Sequence, residues 1–146
     1  MNPIEKAISF VPSPILDLIS QGKLEKRFHC VVAFADVSGF TKMSEQLSTI
    51  GREGAEALTA ILNSYFTSMI SRIELSGGFV GKFGGDAMTI FFPAKNKADL
   101  KKIAKFAVIT SIDLQKRMDA FQNFETKGGT FSLGMIRTPS TSPKTR

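Results

Sequence analysis

Two aspartates, each at the end of a strand-like run, are the residues of this chain whose type and placement could do chemistry. Asp36 follows the apolar run 28–35 and leads into the small-residue segment 37–41, VSGFT. Asp86 lies at the tip of a predicted hairpin whose turn, Gly-Gly-Asp, includes the glycines 84–85. Carboxylate oxygens are the ligands that Mg²⁺ prefers, and protein-bound Mg²⁺ commonly holds polyphosphates. The pair therefore indicates metal-dependent nucleotide chemistry.

Each aspartate also has an ordinary structural explanation. Asp36 could cap the helix that follows it, and Asp86 could be a turn residue. Other kinds of site have less support, because the sequence contains neither a Gly-x-Gly-x-x-Gly nor a Walker pattern. Its one histidine, His29, cannot build a histidine-rich metal site and is interpreted as structural.

The segment between Asp36 and the next helix has features of a phosphate site. Ser38, Gly39, Phe40 and Thr41 lie where a strand ends and a helix begins. The free N–H groups and positive dipole of a helix N-terminus favour phosphate, and glycine allows close backbone approach. The motif by itself is only moderately specific.

Hydrophobic periodicity predicts the elements that position these residues. The predicted strands cover residues 28–35, 79–83, 87–92 and about 130–135, and the predicted helices cover residues 41–48, 53–74 and about 97–124. Along the helix 53–74 one apolar stripe is predicted, formed by Ala55, Leu58, Leu62, Tyr65, Met69 and Ile73. The nearly continuous apolar run 28–35 is typical of a strand buried on both faces. The order strand, helix, strand, strand, helix, strand predicts an α+β, ferredoxin-like βαββαβ fold with two long helices on one face of an antiparallel sheet. In that fold the two aspartates face the same small volume.

Composition divides the chain of 146 residues into three parts. Residues 1–27 are predicted to be an N-terminal arm and residues 28–136 a single folded domain. Residues 137–146 contain two prolines and only basic charge, which predicts a disordered tail.

A single cysteine and no long apolar run predict a cytoplasmic chain without a membrane span. The net charge of +6 includes a lysine cluster that is interpreted as a solvated helix face.

The motifs resemble a known enzyme family. Residues 34–41, FADVSGFT, and residues 82–87, KFGGDA, resemble the two metal-site segments of class III nucleotidyl cyclases. The similarity extends over roughly residues 11–135 and is closest to the first catalytic half of soluble, bicarbonate-responsive adenylyl cyclases. The resemblance implies conversion of ATP to cyclic AMP and pyrophosphate in cyclic-nucleotide signalling.

The resemblance also implies a role for each residue of the site. Asp36 and Asp86 would hold two Mg²⁺ or Mn²⁺ ions, with the Val37 carbonyl as a further ligand. The backbone from Ser38 to Thr41, together with Gly85, would bind the substrate phosphates. Lys82 would read adenine or lie near a regulatory anion site, although it could equally be a simple surface lysine.

The chain departs from the family pattern after its last predicted strand. Family catalytic domains continue through a further hairpin and helix that supply an asparagine and an arginine to the transition state. Their active sites also form between two domains. The resemblance therefore implies a C-terminally incomplete half-site that needs a second class III cyclase domain, as a homodimer or pseudo-heterodimer, and is weakly active or inactive alone.

Three alternatives remain from the sequence. The chain could be a regulatory half that binds a partner cyclase domain without turnover. A diguanylate-type cyclase shares the Gly-Gly-Asp hairpin, but Ala87 and Met88 stand where that family has an acid and an aromatic residue. An RNA-binding module would need exposed aromatics on its sheet, for which Phe91 and Phe92 are the candidates. We expect ATP rather than nucleic acid as the partner.

Overall fold

A computed structural model describes residues 11–22, 25 and 27–140 of the chain. Its helices are α1 (Ser13–Ser20), α2 (Phe40–Ser48), α3 (Arg52–Leu75) and α4 (Leu100–Arg117), with 3-10 turns at Lys97–Asp99 and Met118–Phe121. Its strands are β1 (His29–Ser38), β2 (Phe79–Gly84), β3 (Ala87–Ala94), β4 (Phe124–Thr126), β5 (Gly129–Phe131) and β6 (Gly134–Ser140). No described helix is long and apolar enough to cross a membrane.

The main sheet has the strand order β2-β3-β1-β6, and every neighbouring pair is antiparallel. Helices α3 and α4 pack on one of its faces. This arrangement confirms the predicted ferredoxin-like fold, with β6 as the fourth strand of the main sheet. The small hairpin β4–β5 precedes β6 and was not predicted.

The strand predicted at about 130–135 is divided in the structure between β5 and β6, and β1 runs past its predicted end to Ser38. Three further boundaries also differ. The helix predicted to reach residue 124 ends at Arg117 and continues only as a 3-10 turn, after which Asn123 takes a positive φ of 51°. The strand β3 does not stop before Pro93 but runs through it to Ala94, because Pro93 pairs only with Cys30 of β1. Strand β6 runs through residues 137–140, past the boundary predicted for the tail, and an edge strand tolerates its Pro139. Residues 141–146 lie outside the described residues.

The core lies between the helices and one face of the sheet. On α3, the predicted stripe includes Tyr65, Met69 and Ile73, which have no solvent exposure. Burying an Ile or Met side chain fully stabilises a fold by roughly 1.5–3 kcal/mol, so these positions anchor α3.

The opposite sheet face is only partly covered, so the prediction that β1 is buried on both faces was wrong. At one end Pro14, Ile15 and Leu18 line a cavity over Phe79 and Phe91, whereas the end that carries Phe34 is open. Ala35 and Val37 are buried beneath the helices, whereas Phe34 on the other face is 44% exposed. Both long helices cover the same side of the sheet. The apolar run therefore reflects one covered face and one partly covered face that carries aromatic residues, including the stacked rings of Phe79 and Phe91.

Helices α2 and α3 touch backbone to backbone at Gly54. Gly54 is buried, and a Cβ placed there would collide with the carbonyl oxygen of Leu47 at the end of α2. Gly51, with a φ of +76°, makes the turn between the two helices. The angle between α2 and α3, and so the placement of α2 beside the sheet, depends on this contact.

We expect Gly54→Ala to lower the free energy of unfolding by about 1–3 kcal/mol, the usual cost of overpacking a core. Because the obstacle is a backbone carbonyl, the contact cannot be relieved by rotating a side chain. Urea unfolding measures the change. Gly84→Ala is the matched control, since a Cβ at Gly84 meets nothing within 4 Å; equal stability of the two variants would contradict the contact.

Candidate functional site

The register of β1 against β3 brings Asp36 and Asp86 to the same end of the sheet. Ala35 pairs with Met88, the last pair between these strands. Asp36 lies one residue beyond this pair on β1, and Asp86 lies two residues beyond it in the turn that precedes β3. Asp36 is exposed and Asp86 is half-buried. Two residues that are 50 positions apart in sequence therefore become neighbours in the fold.

The turn that carries Asp86 is shorter than predicted. Gly84 pairs with Ala87, so the loop consists of Gly85 and Asp86 alone. Gly85 has a φ of +68°, which glycine adopts without strain, as tight hairpins require. The turn holds Asp86 at the tip of a two-stranded ribbon, and Gly85 is exposed beside it.

Strand β1 passes directly into α2 through Ser38 and Gly39. Gly39 has a φ of +87° and precedes the first residue of α2, Phe40, and no side chain caps this helix start. A Cβ at Gly39 would lie 2.5 Å from the carbonyl oxygen of Ser132, so only glycine fits between the loop and the segment before β6. The structure thus places the N-terminus of α2, with Ser38 to Thr41, beside Asp36.

Lys82 reaches the open face of the sheet because β2 contains a bulge. Val80 pairs with Ile90, but the register then shifts and Lys82 pairs with Thr89. Without the shift Lys82 would pair with the buried Met88 and point at the helices. The bulge therefore places Lys82 on the exposed face, the face to which the alternation along β1 also assigns Asp36.

Tyr65 approaches this end of the sheet from the helix side. Its side chain is fully buried, and among the described residues its hydroxyl has no hydrogen-bond partner. A buried hydroxyl without a partner costs roughly 1–3 kcal/mol. Burial, together with the negative charges of Asp36 and Asp86, raises the pKa of Tyr65 above its ordinary value. Phe66, which packs on the Tyr65 ring, also contacts Phe83 beside the turn that carries Asp86, so this ring cluster lies at the same end of the sheet.

The oxygen donors at this end of the sheet fit a hard cation such as Mg²⁺. They are the carboxylates of Asp36 and Asp86 and, on the same strand, the backbone carbonyl of Val37, whose side chain is buried. Within the part of the chain that the structure describes, no group of three or more His, Cys, Asp or Glu side chains could hold a metal. Mg²⁺ does not require one, since it keeps several waters and binds through one or two carboxylates and substrate phosphates.

The structure brings together most of the residues predicted from the sequence, and it adds one. Sequence reasoning interpreted Tyr65 only as a member of the apolar stripe of α3. The sequence does contain a signal for Tyr65. The chain has thirteen Phe and a single Tyr, and this Tyr, with its hydroxyl, occupies a position in the apolar stripe. Of the two aromatic residues named for the RNA-binding alternative, Phe92 is buried beneath the helices, whereas Phe91 lies half-buried on the other face.

Comparisons with known proteins place the chain among cyclases. Over 124 residues, 80% of the chain, it is 32% identical to adenylate cyclase type 10 of Rattus norvegicus, and it spans 8% of that protein's length. The crystal structure of the adenylyl cyclase CyaB from P. aeruginosa is 34% identical, with a TM-score of 0.64, over 80% of this chain and 57% of that one. A bacterial light-regulated adenylyl cyclase shares the fold, with a TM-score of 0.68 at 20% identity over 93% of this chain and 39% of that one. No protein-family model matches the chain.

The raised pKa of Tyr65 predicts a loss of stability in alkali. Above about pH 10 an unfolded tyrosine loses its proton, whereas the folded chain keeps Tyr65 neutral. The unfolded state then binds fewer protons, so the free energy of unfolding falls as the pH rises from 10 toward the folded pKa. Urea unfolding between pH 8 and 11 measures the fall.

Tyr65→Phe provides the control, because it removes this contribution and should leave a flatter pH dependence. Tyr65 is the sole tyrosine and the chain has no tryptophan, so the absorbance of tyrosinate follows this one residue. Ionisation of Tyr65 near pH 10 in a chain that is still folded would contradict the prediction.

Proposed function

Because this chain is a homologue of the class III nucleotidyl cyclases and has the fold of their catalytic domain, we propose that it is an adenylyl cyclase half-domain that converts ATP to cyclic AMP and pyrophosphate. One observation carries the proposal: Asp36, Asp86 and the N-terminus of α2 lie together at one end of the sheet. Carboxylates and free amides in this arrangement suit a metal-bound triphosphate.

The proposed reaction is an internal displacement on ATP. The ribose 3′-oxygen attacks the α-phosphorus and loses its proton to solvent, the bond from the α-phosphorus to the β-bridging oxygen breaks, and pyrophosphate leaves with that oxygen. No oxidant or reductant is needed. The protein must bring the 3′-oxygen and the α-phosphorus together and neutralise the charge on the triphosphate.

Asp36 and Asp86 are proposed to hold the cations of the site, with the Val37 carbonyl as a further ligand. Two Mg²⁺ or Mn²⁺ ions, when bound, would supply Lewis-acid activation of the 3′-hydroxyl and charge neutralisation on the phosphates. The short turn at Gly85 and the pairing of β1 with β3 fix the backbone on which the two carboxylates are carried.

The remaining roles belong to the backbone of α2 and to Lys82. The amides from Ser38 to Thr41 would bind the β- and γ-phosphates at a helix start that no side chain caps. Lys82 lies on the open face of the sheet, where an incoming adenine could reach it. Its ammonium group can donate to adenine ring nitrogens.

The open sheet face is where we propose that a second cyclase domain binds. This face carries Phe34 and Lys82, which are both exposed. Because side chains alternate between the two faces along β1, Asp36 lies on the same face as Phe34. A partner on this face would shield the nucleotide from water and contribute the groups that this half does not carry. We expect the chain alone to bind ATP with little turnover.

Asp36→Asn and Asp86→Asn should each weaken cation-dependent ATP binding at least about tenfold, since loss of even an outer-shell partner commonly costs 10–100-fold in metal affinity. Calorimetry with ATP and Mn²⁺ or Mg²⁺ measures the change, and a titration with GTP tests the preference for adenine.

Asp119→Asn is the charge-matched control, because Asp119 is exposed and lies in the 3-10 turn after α4. Full ATP affinity in both site variants would overturn the metal site, and stronger binding of GTP would overturn the assignment to ATP.

Lys82→Ala should weaken ATP binding about tenfold or more, because hydrogen bonds to charged groups contribute about 1.5–3 kcal/mol and every 1.4 kcal/mol is tenfold in affinity. Lys101→Ala removes the same charge from the exposed side of α4 and serves as the control. If both variants lose affinity equally, net charge accounts for the effect and Lys82 does not contact the base.

A further inference from the structure

We propose that Tyr65 is a positioning residue of the cation site, whose buried O–H donates to the Asp36 and Asp86 carboxylates, directly or through one bound water, when a cation is present. The inference rests on the proposed function, because it takes these carboxylates to be the cation ligands. It assigns to the site a residue on the helix side of the sheet.

The aromatic packing around Tyr65 restricts its ring. The ring makes edge-to-face contacts with Phe66, at 5.1 Å between centroids, and with Phe121, at 5.6 Å. Phe66 makes a further edge contact with Phe83, near the end of β2. A fully buried ring held on two sides has little freedom to turn, so the direction of its hydroxyl is set by the packing.

The hydroxyl needs a partner that the rest of the core does not provide. Buried polar side chains nearly always have a hydrogen-bond partner, and one without a partner calls for an explanation. Among the described residues the Tyr65 hydroxyl has none. Phe66 packs on the Tyr65 ring and also contacts Phe83, three residues before Asp86, which places the ring cluster at the end of the sheet that carries Asp86. The acceptors available at this end are the carboxylates of Asp36 and Asp86, and the tyrosine hydroxyl can donate.

A donor at this position suits carboxylates that ligate a metal. Such carboxylates are usually held in turn by outer hydrogen bonds, which fix their orientation. If Tyr65 only filled the core, a phenylalanine would serve as well. The chain has thirteen Phe and uses its one Tyr here.

The key experiment compares Mg²⁺ binding by the 146-residue chain and by Tyr65→Phe, using calorimetry with Mg²⁺ as the only added ligand. We expect Tyr65→Phe to bind Mg²⁺ about tenfold more weakly or worse. The thermal midpoint of the metal-free variant should be unchanged or higher, because a buried hydroxyl without a partner has been removed. A purely structural tyrosine would leave the Mg²⁺ affinity unchanged.

Phe121→Leu is the matched control for packing, because it disturbs the same ring cluster and leaves the hydroxyl in place. It should lower the thermal midpoint and keep a Mg²⁺ affinity near that of the unmutated chain. An equal loss of Mg²⁺ affinity in Phe121→Leu and Tyr65→Phe would overturn the inference.

Tyrosine fluorescence gives a second readout that needs no substitution at Tyr65. Since the chain has one tyrosine and no tryptophan, its emission reports this residue alone. Addition of Mg²⁺ should change the emission with the same saturation curve as the calorimetric binding, and Asp86→Asn should abolish the change.

The outcomes separate the inference from the proposed function. If the unmutated chain binds Mg²⁺ neither alone nor in the presence of ATP, the metal site itself fails and the inference fails with it; if it binds Mg²⁺ only with ATP, the comparison with Tyr65→Phe is made with ATP present. If the unmutated chain binds Mg²⁺ but its emission stays constant, or if Tyr65→Phe binds equally well, the metal site stands and the role of Tyr65 is overturned.

Discussion

The antiparallel pairing of β1 with β3 is the constraint on which the rest of the structure depends. It sets Ala35 opposite Met88, and the hairpin turn and the start of α2 then follow at the same end of the sheet. A slip of one residue in this pairing would turn the core residues outward, because side chains alternate between faces. The same hydrogen bonds that align the core therefore also bring Asp36 beside Asp86.

The two faces of the sheet differ in how far they are buried. Alternate residues of β3, including Met88 and Ile90, pack under the helices and form the core. The other face holds exposed aromatic and charged side chains, and the bulge in β2 adds Lys82 to it. Because the core needs only one face, the residues on the other can serve recognition with little cost to folding.

Tyr65 connects these two sides of the sheet. Its ring belongs to the packed aromatic cluster, while its buried hydroxyl has no hydrogen-bond partner among the described residues. With the contact that we propose, the core would hold the carboxylates more rigidly than surface loops alone, because buried rings restrict motion. Gly39 allows a second close contact, because without a side chain there the segment before β6 can pack against the start of α2.

Local patterns in the sequence determined the order of the elements, the fold class and the two aspartates as the candidate site, because helix periodicity, apolar runs and glycine-rich turns are local properties. Tertiary structure decided what depends on contacts between distant residues. One-sided burial of β1 could not be predicted, since a run of apolar residues does not say whether the second face is covered. The bulge that turns Lys82 outward, the continuation of β6 through Pro139 and the hairpin β4–β5 depend on pairing partners far along the chain. The sequence presents Tyr65 as one more apolar position, and only the packing of α3 under the sheet shows that its hydroxyl is buried without a partner among the described residues.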